Sequence, residues 1–132
     1  MSVPACAVDT SALLAFISEE PGWTVAEGWL EHGAAASALV VQELVSKLVQ
    51  RGVTREVVVE TVGTLNLMVV DLTLPLAVEA GAMFALTRPA GLSHGDRACL
   101  ALARSLDVPA VTADRAWARV ADDLGVRVEL IR

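Results

Sequence analysis

The sequence predicts an α/β fold on a mainly parallel sheet, and three observations carry that prediction. Short apolar runs alternate with helical patterns of about ten residues or more along the chain, the order from which βαβ units are made. Hydrophobic residues make up 55% of the 132 positions while aromatics make up 4%, so the core has to be built mostly from Ala, Val and Leu. Three acidic residues follow apolar runs and precede helical patterns: Asp9 after 3–8, Asp114 after 109–112 and, more loosely, Asp96 after 90–92. Open parallel sheets bind ligands in the crevice beyond their strand C-termini, so residues far apart in sequence can meet there.

The elements follow in order. Residues 3–8 read as a buried strand, and 10–20 as a helix stopped by Pro21-Gly22. A second helix covers 23–32 before Gly33, and 34–38 is a short strand. Residues 39–50 form a helix with apolar positions at Val40, Val41, Leu44, Val45, Leu48 and Val49, ended by Gly52. Thr54 caps a helix reaching about Asn66, and 67–72 is a strand by its Met-Val-Val run. A helix over 74–87, a loop over 88–91, a helix over 96–106, a strand over 109–112, a helix over 115–124 and a last strand over 126–131, interrupted by Glu129, complete the series.

A chain of this length buries a core without disulfides, and with no repeat, linker or low-complexity segment a single domain over 1–132 is expected. No stretch reaches the roughly 18 to 20 apolar residues of a membrane span, and MSVPACAVDT lacks the basic start of a signal peptide, so a cytoplasmic protein with no membrane association is expected. Cys6 in a strand and Cys99 in a helix have no C-x-x-C spacing and read as buried thiols. The net charge of −6 looks hostile to nucleic acid. Setting aside four acids that a bound divalent ion would neutralise leaves 12 acidic residues of the 16 against 10 basic ones, so RNA is not excluded.

Those four are Asp9, Glu43, Asp96 and Asp114. Carboxylates brought together repel unless a hard cation such as Mg2+ or Mn2+ holds them. Each also has an ordinary structural reading. Asp9 and Asp114 look like helix N-caps, and Asp96 stands three residues after Ser93 in a capping-box pattern. Glu43 lies opposite the apolar stripe of its helix, with Lys47 at i+4, as a solvated residue would, although an open polar cleft gives the same periodicity. His94 beside Asp96 fits a general base or a solvent-facing loop residue. Arg97, Arg115 and Arg119 fit phosphate contacts or plain surface arginines. Trp23, Trp29 and Trp117 fit packing anchors better than base-stacking platforms.

Taken in order, the segments VDTSALLAF, LVVQELVSKL, LSHGDRACLALA and VTADRAW resemble the PIN-domain family, and within it the VapC-type toxins of prokaryotic toxin–antitoxin pairs, over nearly the whole chain. The third segment is the most specific. The resemblance implies a three-layer α/β/α sandwich and a metal-dependent endoribonuclease. It places Asp9, Glu43, Asp96 and Asp114 as catalytic metal ligands for Mg2+ or Mn2+, with Thr112 and Thr10 or Ser11 as polar support. It also implies an RNA substrate, a small cognate antitoxin protein and a homodimer. No His, Cys or Ser–His pair offers a competing nucleophile, so hydrolysis falls to water activated at the metal, leaving 5′-phosphate and 3′-hydroxyl ends as in the family.

Two rivals stand beside this. A receiver-like phosphoacceptor domain would use Asp71 at a strand end, but it needs a lysine late in the chain, and Lys47, the only lysine, lies in a mid-chain helix. A non-catalytic binding module would use the acids as caps and the apolar surface as its function.

Overall fold

The computed structural model describes residues 3–132; Met1 and Ser2, at the head of the segment read for a leader, lie outside the described residues. Five strands, β1 (Cys6–Val8), β2 (Ala34–Ser37), β3 (Met68–Val70), β4 (Ala110–Thr112) and β5 (Val128–Leu130), form one sheet in the order β3-β2-β1-β4-β5. Every neighbouring pair is parallel. The expected mainly parallel sheet is therefore wholly parallel. Its three inner strands are buried and small, with Ala7, Ala35, Ala36 and Ala110 at 0% exposure. Such strands let flanking helices approach closely, which is how a core poor in aromatics is filled.

Eight helices among the described residues surround the sheet: α1 (Thr10–Ser18), α2 (Trp23–His32), α3 (Ala38–Gln50), α4 (Arg55–Thr64), α5 (Leu74–Ala82), α6 (Phe84–Thr87), α7 (His94–Leu106) and α8 (Ala121–Leu124). The chain moves outward from β1 through β2 to β3, then crosses back beyond β1 to β4 and β5. Right-handed crossovers in these two opposite directions put their helices on opposite faces. α7 packs against β1, β2 and β4, while α1 packs on α2, α3 and β4. The result is the expected α/β sandwich.

The departures from the sequence reading have local causes. The helix over 74–87 breaks at Met83, whose N–H bonds the Ala80 carbonyl in a tight turn. The loop over 88–91 contains a 3₁₀ turn, Arg88–Ala90. The helix over 115–124 is a 3₁₀ turn, Arg115–Arg119, followed by α8, because the Asp114 side chain and carbonyl bond Ala116 N–H and Trp117 N–H at i+2 and i+3. Glu129 does not interrupt the last strand; it belongs to β5, exposed, opposite Val111. In α3 the buried stripe is Val40, Leu44 and Leu48, while Val49 is half exposed.

The strand order reverses between β1 and β4. The C-terminal ends of those two strands carry Asp9 and, after Thr112, Asp114, so the topology itself opens a crevice between two of the selected acids.

Candidate functional site

Asp9 ends β1 and caps α1. Its Oδ1 accepts from Ala12 N–H at 2.9 Å. The Thr112 hydroxyl donates to its Oδ2 at 2.6 Å, and the Ser11 hydroxyl is shared between both oxygens at 2.8 and 2.9 Å. Only 3% of the residue is exposed. Burial pushes the carboxyl up to about 6 even though the bonds from Thr112, Ala12 and Ser11 all favour the charged form; the Asp96 charge adds to the rise. Desolvation therefore outweighs three sets of hydrogen bonds. Thr112 is a hinge pin between the two strand ends, since the hydroxyl that donates to Asp9 also accepts from Asp114 N–H at 3.0 Å. Ser11 makes a second tie by accepting from Ala113 N–H at 2.9 Å. Thr10 is turned elsewhere, its hydroxyl donating at 3.4 Å to the Val40 carbonyl of α3.

Asp96 lies in the first turn of α7, half-buried. Its Oδ2 accepts from Ser93 N–H at 2.9 Å while Asp96 N–H donates to Ser93 Oγ at 3.2 Å, a complete capping box. Glu43 is not a fully solvated side chain. It is half-buried where α3 packs on α7, and its carboxylate lies over Gly95, where a Cβ would overlap it. Burial raises the Glu43 carboxyl, the Asp96 charge raises it further, and Lys47 and His94 pull it down. Asp9, Glu43 and Asp96 thus share one electrostatic neighbourhood centred on Asp96. Asp114 is exposed, joined to that neighbourhood through Thr112, and its Oδ1 accepts from Ala116 N–H at 2.9 Å.

The PIN domain matches residues 6–123, from the first strand to the last helix. The chain belongs to the PIN-domain family. None of the curated protein sequences compared with it matches. Among solved structures, the fold is similar to VapBC2 from Rickettsia felis bound to a DNA fragment from its promoter (TM-score 0.70, 16% identity, 94% of this chain and 96% of that one). It is similar as well to VapBC from Salmonella typhimurium bound to DNA (TM-score 0.71, 18% identity, 96% and 97%) and to FitAB bound to IR36 DNA (TM-score 0.70, 16% identity, 96% and 94%). At these identities the likeness is one of fold.

For this PIN domain, the donor set has the right chemistry for a hard divalent cation, since all four acids offer carboxylate oxygen. The Asp96 charge acts on both Asp9 and Glu43, which a cation would relieve. Yet among the described residues no three His, Cys, Asp or Glu side chains stand together as a ready metal cage. Asp96 and Asp114 each hold one oxygen against a backbone N–H of their own turn. The other oxygen of each has no hydrogen-bond partner among the described residues, so the caps would leave those atoms to a metal ion.

Several neighbouring residues differ from the sequence reading. Arg97 is not a surface arginine. It is 5% exposed, donates to the Leu92 carbonyl and contacts His94 Nδ1, both at 2.9 Å, and lies 5.4 Å from the centre of the Phe84 ring. A guanidinium only donates, so this contact suits the neutral ring that accepts at Nδ1 and carries its proton on Nε2. The alternation of α7 gave no hint of a buried arginine, because a cation within an Ala/Leu helix looks like its solvent face. Arg115 and Arg119 are exposed and Trp117 is fully buried, as a packing anchor should be. Cys6 and Cys99 are free and buried; burial raises the Cys6 thiol to about 12 and raises Cys99 as well, so neither is a nucleophile. Asp71 follows the edge strand β3, away from the strand-order reversal, and Lys47 bears on Glu43, which removes the basis of the receiver reading.

Proposed function

We propose that this PIN domain is a divalent-metal-dependent endoribonuclease of VapC type, with Asp9, Glu43, Asp96 and Asp114 as the residues that hold Mg2+ or Mn2+. The observation that carries the reading is the shared electrostatic neighbourhood of Asp9, Glu43 and Asp96 at the strand-order reversal of a PIN fold, with Asp114 tied in through Thr112. A bound cation supplies an acidified water and neutralises charge on the phosphoryl oxygens. The chain's own residues supply the rest. Asp9 is fixed by Thr112 and Ser11 so that its carboxylate does not swing. Glu43 and Asp96 add negative charge on the side of α7. Arg115 and Arg119, both exposed, follow Asp114 within five residues and would meet the phosphates of an RNA strand entering the crevice. No helix of the described residues is long and apolar enough to cross a membrane.

Partners follow from surface chemistry. A groove of about 240 Å3 between α1, α2 and the end of α4 is lined by Phe16, Leu30 and Leu65, with Glu27 and Glu31 on its rim. An antitoxin helix with an apolar face and basic flanks fits it. The edge strand β3 and α5 expose Met68, Val69, Leu74 and Val78, between 40% and 78%, a flank suited to a second copy of the chain. VapBC and FitAB are themselves complexes bound to DNA, which supports a toxin–antitoxin assignment.

A second reading has one specific observation in its favour: Asp9 and Asp114 cap the turns that follow them and Asp96 closes the capping box that starts α7, as purely structural acids would. Incubation with single-stranded RNA separates the two. The parent should cut in Mg2+ or Mn2+ and stop in chelator, and Asp96→Asn should cut at least about 100-fold more slowly. Equal cutting by parent and variant, or no cutting by either, favours the capping reading.

A further inference from the structure

Gly95 occupies the first turn of α7 between His94 and Asp96, in ordinary right-handed helix. Glycine weakens a helix interior and its N-terminal turn by excess backbone freedom, so its presence here needs a reason other than turn geometry. The reason lies across the helix interface. A Cβ at Gly95 would overlap Oε1 and Cδ of Glu43 and come within 3.2 Å of Oε2, and these three nearest atoms all belong to that one side chain. Gly95 is itself buried, so the carboxylate fills the space where its side chain would be.

We propose that Gly95 is a positioning residue for the metal site: its missing side chain is the seat from which the Glu43 carboxylate reaches the neighbourhood of Asp96 and Asp9. This rests on the reading of those acids as metal ligands. The atoms that a Cβ would meet are the far end of a flexible side chain, with no backbone among the three nearest. Alanine at 95 therefore displaces Glu43 and leaves the packing of α3 on α7 in place. The consequence is a separation that few glycine substitutions offer, in which the helix gains propensity while the site loses a ligand.

Mn2+ binding, read from the loss of the free-ion paramagnetic resonance signal, and melting in chelator test this together in the parent, Gly95→Ala, Glu43→Gln and the double variant. Gly95→Ala should bind Mn2+ about 10-fold or more weakly, the size of effect expected when the support of a ligand is removed. Its melting temperature without metal should equal or exceed the parent's. The double variant should bind no more weakly than the weaker single, because both changes remove the same ligand. Glu43→Asp placed on Gly95→Ala should recover part of the loss, since the shorter acid clears the new methyl. Mn2+ affinity of Gly95→Ala within about twofold of the parent, beside a weakened Glu43→Gln, overturns the positioning role and leaves the metal site standing. Losses that add fully, or a melting temperature far below the parent's, also overturn it. A parent that takes up no Mn2+ overturns the site itself, and the role of Gly95 with it.

Discussion

The starts of α1 and α7 each hold an aspartate against backbone N–H groups, and their surroundings make these two caps different objects. Asp9 lies at the end of an inner strand, 3% exposed, with both oxygens engaged. Asp96 is half-buried with one oxygen in its capping box. A cap on a surface helix stabilises by about 1 kcal/mol. At Asp9 the same arrangement is overridden by desolvation, and moving the carboxyl from its ordinary 3.8 to about 6 corresponds to a penalty of about 3 kcal/mol for the charged form. An acid whose charged form opposes folding is what the proposed metal-ligand role of Asp9 requires, and capping α1 alone does not. Asp9 is the N-cap of α1 and Asp96 the reciprocal N3 partner of the Ser93 cap, and burial separates them further.

The largest expected effect erases the difference. Asp9→Asn and Asp96→Asn should each reduce metal-dependent RNA cleavage by about 100-fold or more, because a ligand's charge is lost in both. Matched rates of cleavage at saturating Mn2+ are the measurement, and one variant keeping full activity would confine the chemistry to the other region.

Stability without metal should then pull the two apart. Asp9 has a folded value above its unfolded one, so its contribution is present below about pH 4 and is lost as pH rises through about 6. Asp9→Asn should therefore stabilise the chelator-treated protein at pH 8 by up to about 3 kcal/mol and by nothing near pH 4, while Asp96→Asn should destabilise it. Urea unfolding of parent and both variants at these two pH values checks the sign. A pH-independent difference for Asp9→Asn would mean that its carboxyl is solvated in the folded chain.

The contrast between these helix starts also marks how far the sequence was legible. Strand and helix order, the parallel sheet and the placing of Asp9 and Asp114 at strand ends followed from apolar runs and turn residues, which act locally. The capping roles of Asp9, Asp96 and Asp114 were legible for the same reason. Which acid would be desolvated was not, because burial of Asp9 depends on β4 bringing Thr112 beside it from 103 positions away. Glu43 looked solvated because a helical wheel sees only its own helix, whereas α7 covers that face and offers Gly95 as the contact. The burial of Arg97 was illegible for a related reason: its partners are Leu92 just before α7, His94 in its own first turn and Phe84 on α6, which a wheel of α7 does not place together.

Cation binding should reduce the penalty on the Asp9 side. With a dissociation constant of about 1 mM, 10 mM Mg2+ stabilises by about 1.4 kcal/mol through mass action, roughly 5 °C in melting temperature for a chain of this size. The rise should be largest near pH 8 and shrink as pH falls through about 6, where protons occupy Asp9 first. Scanning calorimetry of chelator-stripped protein at pH 5 and pH 8 measures both. An equal response at the two values would place the ion away from Asp9.

The smallest effect isolates the cap at α7 from the site it borders. Ser93→Ala removes the hydroxyl that accepts from Asp96 N–H at 3.2 Å but leaves the backbone N–H of residue 93 free to bond Asp96 Oδ2. It should cost about 1 kcal/mol, the usual value of an N-cap, at pH 5 and pH 8 alike, since no ionisable group is altered. The Asp96 carboxylate keeps its anchor and its open oxygen, so the Mg2+-induced rise in melting temperature should match the parent's. A variant that loses stability and keeps its full response to Mg2+ shows that the two oxygens of Asp96 divide the work, one starting the helix and the other facing the ion. A response that falls along with stability would instead mean that the capping box, hydroxyl included, is what aims Asp96 at the site.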